Sequence, residues 1–186
     1  TGWEQNGDPL AFCQADLDEA AARLADVLRE ESADVLTTYD WHGNYGHPDH
    51  IQVHRVGTRA AELFRTERPG LRVFEATMNR DELRRQFAMA KEAGEGFGPD
   101  DDFDPDGPMD DGNPMGLPEA ELTMVVDVAG FVDRKRAAIA AHRSQVTDSS
   151  FFVQMPDELF AIAFGREWYR EDGAEPGLRP GWFFDA

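Results

Sequence analysis

Four of the five histidines in this 186-residue chain, His42, His47, His50 and His54, fall in one short stretch. Imidazole is the commonest metal ligand and the usual acid–base group near neutral pH, so the crowding points to a reaction centre. Its centre is Gly43-Asn44-Tyr45-Gly46-His47-Pro48-Asp49-His50. His47 and His50 are spaced i, i+3 across the start of a helix and can share one side of it. Pro48 suits the first helical position, where no N–H is needed. Asp49 lies between the two histidines, where a carboxylate can orient an imidazole or stabilise its charged form. Gly43 and Gly46 let the backbone turn sharply and approach a substrate. The bland alternative is a histidine-bearing helix cap with no chemistry. His50 and His54 are spaced i, i+4, which would also suit one metal. However, Ile51 stands where the protease version of that pattern needs Glu, so His54 is expected to face the core or a neighbouring helix. Two histidines do not complete a catalytic zinc site, which takes three protein ligands plus water.

The surrounding pattern supplies the scaffold. Leu17, Ala20, Leu24, Val27 and Leu28 follow helical spacing, with Asp16 as N-cap and Glu19 three residues on. Val35 to Tyr39 reads as a short, buried parallel strand ending just before the histidines. A helix from Pro48 carries Ile51, Val53, Val56, Ala60 and Leu63. Arg72 to Ala76 is the next strand, and Asn79 caps a helix through about Ala93. Leu122 to Val128 is a further strand and Phe131 to His142 a helix. Phe151 to Gln154 reads as a short strand and Pro156 to Phe164 as a short helix. This order predicts an α/β fold with a Rossmann-like parallel sheet flanked by helices, in one domain over 1–186. Ligands of such sheets bind outside the carboxyl ends of the strands, where His47 and His50 fall.

Residues 94–118 break the pattern. Glycines, prolines and a run of aspartates cannot pack a core, so a flexible acidic insertion or lid is expected. Asp102-Phe103-Asp104-Pro105-Asp106-Gly107 matches the start of a calcium loop, but the twelfth position is Asn113 rather than Glu and prolines spoil the flanks. The solvated lid is the preferred reading.

Composition removes several classes of function. With 18 basic and 37 acidic residues the formal net charge is -19. Such a surface repels nucleic acid and anionic membranes, so neither is expected as a partner. Cys13 is the only cysteine, which excludes an intrachain disulfide and a cysteine-based zinc ribbon and fits a reducing, cytoplasmic setting. No apolar run approaches the roughly 20 residues needed to span a bilayer. The apolar tail Trp182-Phe183-Phe184 is expected to dock on something, which leaves a homo-oligomer open.

The segment Asp34 to Asp40 followed by Gly43-Asn-Tyr-Gly-His-Pro-Asp-His-Ile-Gln-Val-His54 resembles the PIG-L/LmbE-like de-N-acetylases, whose members include mycothiol-pathway enzymes. The helix Asp133 to Gln145, with His142 and Gln145, also resembles that family's downstream pattern. The resemblance runs from about Phe12 to about Thr147. It implies a metal-dependent enzyme, typically zinc or another divalent metal such as iron, that removes an acyl group from an N-acyl sugar amine such as an N-acetylglucosaminyl group. By resemblance His50 is a metal ligand. His47 is the charged histidine that stabilises the oxyanion and protonates the leaving amine, and Asp49 tunes it. Tyr45 polarises the amide carbonyl. Asn44, His142 and Gln145 are substrate-side candidates; Asn44 stands where relatives often carry Gly, and Asn tolerates unusual turn geometry.

One departure matters. The family's upstream Ala-His-Pro-Asp-Asp-Glu motif, which supplies the remaining ligands and the general base, has no counterpart here. The leading expectation is that these groups come from a missing N-terminal segment or a companion chain. The alternatives are a non-catalytic sugar- or metal-binding relative, and a different metal site built from acidic residues of this chain.

Overall fold

A computed structural model describes residues 6–93, 104–144, 146–147 and 150–185. Six helices, α1 (Leu17–Glu30), α2 (Pro48–Arg65), α3 (Arg80–Ala93), α4 (Val132–Ala140), α5 (Phe151–Gln154) and α6 (Asp157–Phe164), are described together with five strands. The strands are β1 (Val35–Tyr39), β2 (Arg72–Thr77), β3 (Met124–Asp127), β4 (Arg166–Glu171) and β5 (Arg179–Pro180). They form one sheet in the order β1-β2-β4-β3-β5.

The α/β class and the helix-flanked sheet are as the sequence pattern implies. The sheet is parallel only in part. β1 pairs β2 in parallel, with Val35 opposite Arg72 and Tyr39 opposite Ala76, through the crossover helix α2. β4 runs antiparallel to both β2 and β3, and β3 pairs β5 in parallel. β4 escaped the sequence reading because Arg166-Glu167-Trp168-Tyr169-Arg170-Glu171 looks like surface. Its charges are paired, Arg170 with Glu75 at 2.5 Å and Glu171 with Arg72 at 2.7 Å, while Trp168 and Tyr169 are buried. The expected strand at Phe151–Gln154 is instead one helical turn, closed by Gln154 N–H donating to Ser150 O at 3.1 Å. Periodicity alone cannot separate strand from helix in so short an apolar run.

Two cores hold the site's scaffold. Ala21, Ala25 and Leu28 of α1 pack on Ala60, Ala61 and Phe64 of α2 and on Val73 of β2. Small residues on facing helix surfaces let α1 and α2 approach closely. Phe74, Met124, Val126 and Tyr169 form a second cluster under the sheet, joined by Phe183 of the tail. The tail therefore docks through Phe183, while Trp182 and Phe184 stay exposed. Asp16 Oδ1 accepts from Glu19 N–H at 2.9 Å, so α1 has the N-cap the sequence implies. Asn79 does the same for α3, accepting from Glu82 N–H at 3.1 Å. Among the described residues no helix is long and apolar enough to cross a membrane.

Candidate functional site

β1 ends at Tyr39, and the chain then folds into a compact turn before α2 begins at Pro48. The hub of that turn is Asp40, which has no exposed surface. Its Oδ1 accepts from Asn44 N–H at 2.7 Å and from His42 N–H at 3.2 Å, and its Oδ2 accepts from the Thr77 hydroxyl at the end of β2. A buried carboxylate with several donors ties the carboxyl ends of β1 and β2 to the histidine turn.

Gly43, Asn44 and Gly46 all lie in the left-handed region, with φ of 69°, 69° and 89°. The turn needs glycine at two of these for space as well as conformation. A Cβ on Gly43 would sit 2.6 Å from His50 Cβ, and one on Gly46 would sit 2.5 Å from Asp111 N. Asn44 tolerates the left-handed backbone and uses its side chain, Oδ1 accepting from Met78 N–H at 3.1 Å.

His50 is set by three contacts. Its ring stacks on Tyr39, centroids 4.3 Å apart and planes 6° from parallel. Tyr45 meets it edge-on at 4.9 Å. Its Nδ1 lies 3.3 Å from the Gly43 carbonyl oxygen. A carbonyl can only accept, so Nδ1 carries the hydrogen and Nε2 keeps its lone pair. This is the arrangement by which backbone carbonyls orient metal-ligating histidines. Burial pushes the His50 imidazole below its ordinary value, which keeps the lone pair available at neutral pH.

His47 is the N-cap of α2, and its Nδ1 accepts from Asp49 N–H at 3.1 Å. The hydrogen of the neutral ring is therefore on Nε2. The rings of His47 and His50 are 5.3 Å apart, centroid to centroid, and Tyr45 lies 6.3 Å from His47. The Asp49 carboxylate accepts from Cys13 N–H at 3.0 Å, which fastens the chain ahead of α1 to the start of α2. Burial, with help from Tyr39 and Asp110, raises the Tyr45 phenol above its ordinary value, so it stays a hydrogen-bond donor.

The structure thus brings Asn44, Tyr45, His47, Asp49 and His50 together. His54 faces inward as expected, donating from Nδ1 to the Tyr39 carbonyl at 3.1 Å and lying 3.5 Å from Glu75. His142 sits at the exposed end of α4, donating to its own helix at Ala138 O, 2.9 Å away. No described hydrogen bond or ring contact joins it to the turn. Gln145 lies outside the described residues.

Three participants had no role in the sequence reading. Tyr39 supplies the stacking face for His50, Asp40 the hub, and Asp111 a carboxylate whose Oδ2 is 3.4 Å from His42 Nδ1. The signal for the first two was their place at the carboxyl end of β1. Asp111 carried none.

Among the described residues the donor set for a metal is incomplete. Among the described residues no group of three or more His, Cys, Asp or Glu side chains could hold a metal ion. His50 fits as one ligand, with its lone pair freed and its ring fixed; the rest of a three-ligand set is not present there.

No family model matches the chain. It is similar to proteins named 1D-myo-inositol 2-acetamido-2-deoxy-alpha-D-glucopyranoside deacetylase. The one from Thermomonospora curvata is 35% identical, over 97% of this chain and 65% of that protein. That from Acidothermus cellulolyticus is 36% identical, over 90% of this chain and 55% of its own length. That from Kribbella flavida is 38% identical, over 91% and 58%. The chain therefore spans about 55–65% of the length of these curated relatives.

Proposed function

Along the stretch it shares with these relatives the chain belongs to the PIG-L/LmbE-like de-N-acetylases, and from that premise we propose that its histidine turn is one half of a deacetylase site. The reaction is hydrolysis of the acetamide of a 2-acetamido sugar joined to a polyol, giving acetate and the free amine. The observation that carries it is the pairing of two imidazoles with opposite hydrogen placement, 5.3 Å apart, beside a protonated phenol.

In this reading each group has one task. His50 offers Nε2 to a divalent metal, zinc by preference, whose other ligands and accompanying base lie outside the residues described for this chain. When bound, the metal supplies an activated water and polarises the carbonyl. Tyr45 donates its phenolic hydrogen to the developing oxyanion. His47 delivers a proton from Nε2 to the departing amine as an imidazolium, after Nδ1 has taken up a proton from solvent and released the Asp49 N–H bond it accepts in this structure. Tyr39 and the Gly43 carbonyl keep the His50 ring from turning away. The sole cysteine and the acidic surface fit a reducing, cytoplasmic setting and a small-molecule substrate.

The test is amine release from a 2-acetamido-2-deoxyglucosyl inositol by the zinc-loaded polypeptide of the complete reading frame. The wild type is expected to release amine, His47→Ala to turn over at least about a hundredfold more slowly with its metal retained, and His50→Ala to lose metal. Ligand binding without amine release would instead support a non-catalytic module.

A further inference from the structure

The acidic segment yields more than its composition implies. Its described part crosses the histidine turn as a strap, and the two are joined through backbone atoms on both sides. Asp110 N–H donates to Tyr45 O at 3.3 Å, and Gly116 N–H donates to Asn44 O at 2.8 Å. Tyr45 therefore sits between two anchor points of one short strap. At Gly46 the strap comes so close that only a hydrogen fits against Asp111.

Two side chains pin the strap from behind. Arg80, at the first turn of α3, donates to consecutive carbonyls: Nη2 to Pro114 O at 3.2 Å and to Gly116 O at 2.5 Å, and Nε to Met115 O at 3.0 Å. Its own N–H donates to Leu117 O at 2.9 Å, and Leu117 N–H donates to Met78 O at 2.9 Å. His42, 1% exposed, reaches the same strap. Its Nε2 donates to the same Gly116 carbonyl at 3.2 Å, and its Nδ1 lies 3.4 Å from Asp111 Oδ2. Asp111 is itself fixed by Asn113, whose N–H and Nδ2 donate to it at 3.0 and 2.9 Å. A guanidinium fork that gathers carbonyls of an otherwise irregular loop has no role in packing a core; it fixes a loop's path.

We propose that Arg80 and His42 are positioning residues for Tyr45: by latching the strap Met109–Leu117 at the Gly116 carbonyl, they hold the Asn44-Tyr45-Gly46 backbone so that the phenol faces the rings of His47 and His50. The inference rests on the functional reading only for what Tyr45 then does. The latch itself is a property of this chain.

The test uses the chain with 13C-labelled tyrosine rings, which has only three tyrosines to assign. The placement of the Tyr45 ring is followed by ring-to-ring NOEs at one neutral pH, and amide exchange is mapped by mass spectrometry. In the wild type NOEs join the Tyr45 ring to the His47 and His50 rings, as their edge-on contacts imply. In Arg80→Ala those NOEs are expected to weaken, with exchange at Asn44, Gly46 and Gly116 faster by about tenfold or more. Tyr169, whose hydroxyl bonds to Glu167, and the α1–α2 core amides stay unchanged. Arg80→Lys, which keeps the charge but not the fork, gives NOEs and exchange rates between the two. His42→Gln, which keeps a donor toward Gly116 and drops the pairing with Asp111, moves Tyr45 the same way by less. A folded Arg80→Ala with Tyr45 ring NOEs and strap exchange unaltered would overturn the proposal. If Arg80→Ala loses core protection as well, His42→Gln decides, and an unmoved Tyr45 there overturns it. These readouts need no turnover, so a failure to release amine counts against the functional reading alone.

Discussion

The turn from Asp40 to His50 and the end of α4 both carry a histidine whose Nδ1 bonds to a backbone carbonyl, yet they differ in what surrounds the ring. In the turn, His42, His47 and His50 each have a ring nitrogen committed to a backbone group, and His50 is stacked between a parallel Tyr39 and an edge-on Tyr45. At the end of α4, His142 bonds to its own helix and is otherwise open to solvent. The first arrangement fixes which nitrogen holds hydrogen and where the lone pair points. The second also places a hydrogen on Nδ1, through Ala138 O, but leaves the faces of the ring to water. Chemistry at a histidine depends on that difference more than on the residue's presence.

Breaking the turn should cost far more than altering α4. Gly43→Ala has the largest expected effect. A left-handed non-glycine residue costs about 1–2 kcal/mol and overpacking about 1–3 kcal/mol more. The added methyl would press on His50 Cβ at 2.6 Å. Denaturant titration should show the loss, and metal binding at His50 should weaken with it. Asp40→Ala comes next. It leaves the buried N–H of His42 and the part-buried N–H of Asn44 without their acceptor, at about 1–3 kcal/mol for the first and less for the second by unfolding midpoint. Asp40→Asn, which keeps one acceptor oxygen, should recover part of that.

His50→Ala should leave the fold nearly unchanged and lower zinc affinity at least tenfold, about 1.4 kcal/mol, by calorimetric titration. The pH dependence sharpens the same contrast. Burial depresses the His50 imidazole in the folded protein, so the unfolded chain takes up that proton first as pH falls. The stability contributed by keeping His50 neutral is present above the unfolded value of about 6.5 and is lost as pH falls through the folded value. Replacing His50 with Gln should flatten that part of the stability–pH curve. The smallest effect is expected for His142→Ala, within about 0.5 kcal/mol and with no change in zinc affinity at His50.

Much of the turn was legible because its constraints are local. Pro48 at the helix start, left-handed Gly43, Asn44 and Gly46, and the i, i+3 histidines all act over a few residues, so the motif shows them directly. β1, α2, β2 and α3 were readable from apolar period and caps for the same reason. What stayed hidden depends on partners far along the chain. β4 looks like a charged surface until Glu75 and Arg72 pair with its arginine and glutamate. The strap reads as a solvated acidic lid because composition does not show that Arg80 collects its carbonyls. Not legible at all was that the Asp49 backbone N–H donates to His47 Nδ1 and that its carboxylate accepts from Cys13 N–H across 36 residues of sequence.

The central claim is that His50 is presented as a metal ligand. It is tested most directly by zinc titration of the 15N-labelled chain, following the ring nitrogens of His50 and His142 together by long-range 1H–15N NMR. The account predicts that His50 Nε2 moves to the metal-bound range at lower zinc than either nitrogen of His142, while His50 Nδ1 stays protonated on Gly43. If His50 remains unshifted while His142 is already saturated, the turn is a helix cap that carries histidines, and the assignment of a metal-binding corner fails.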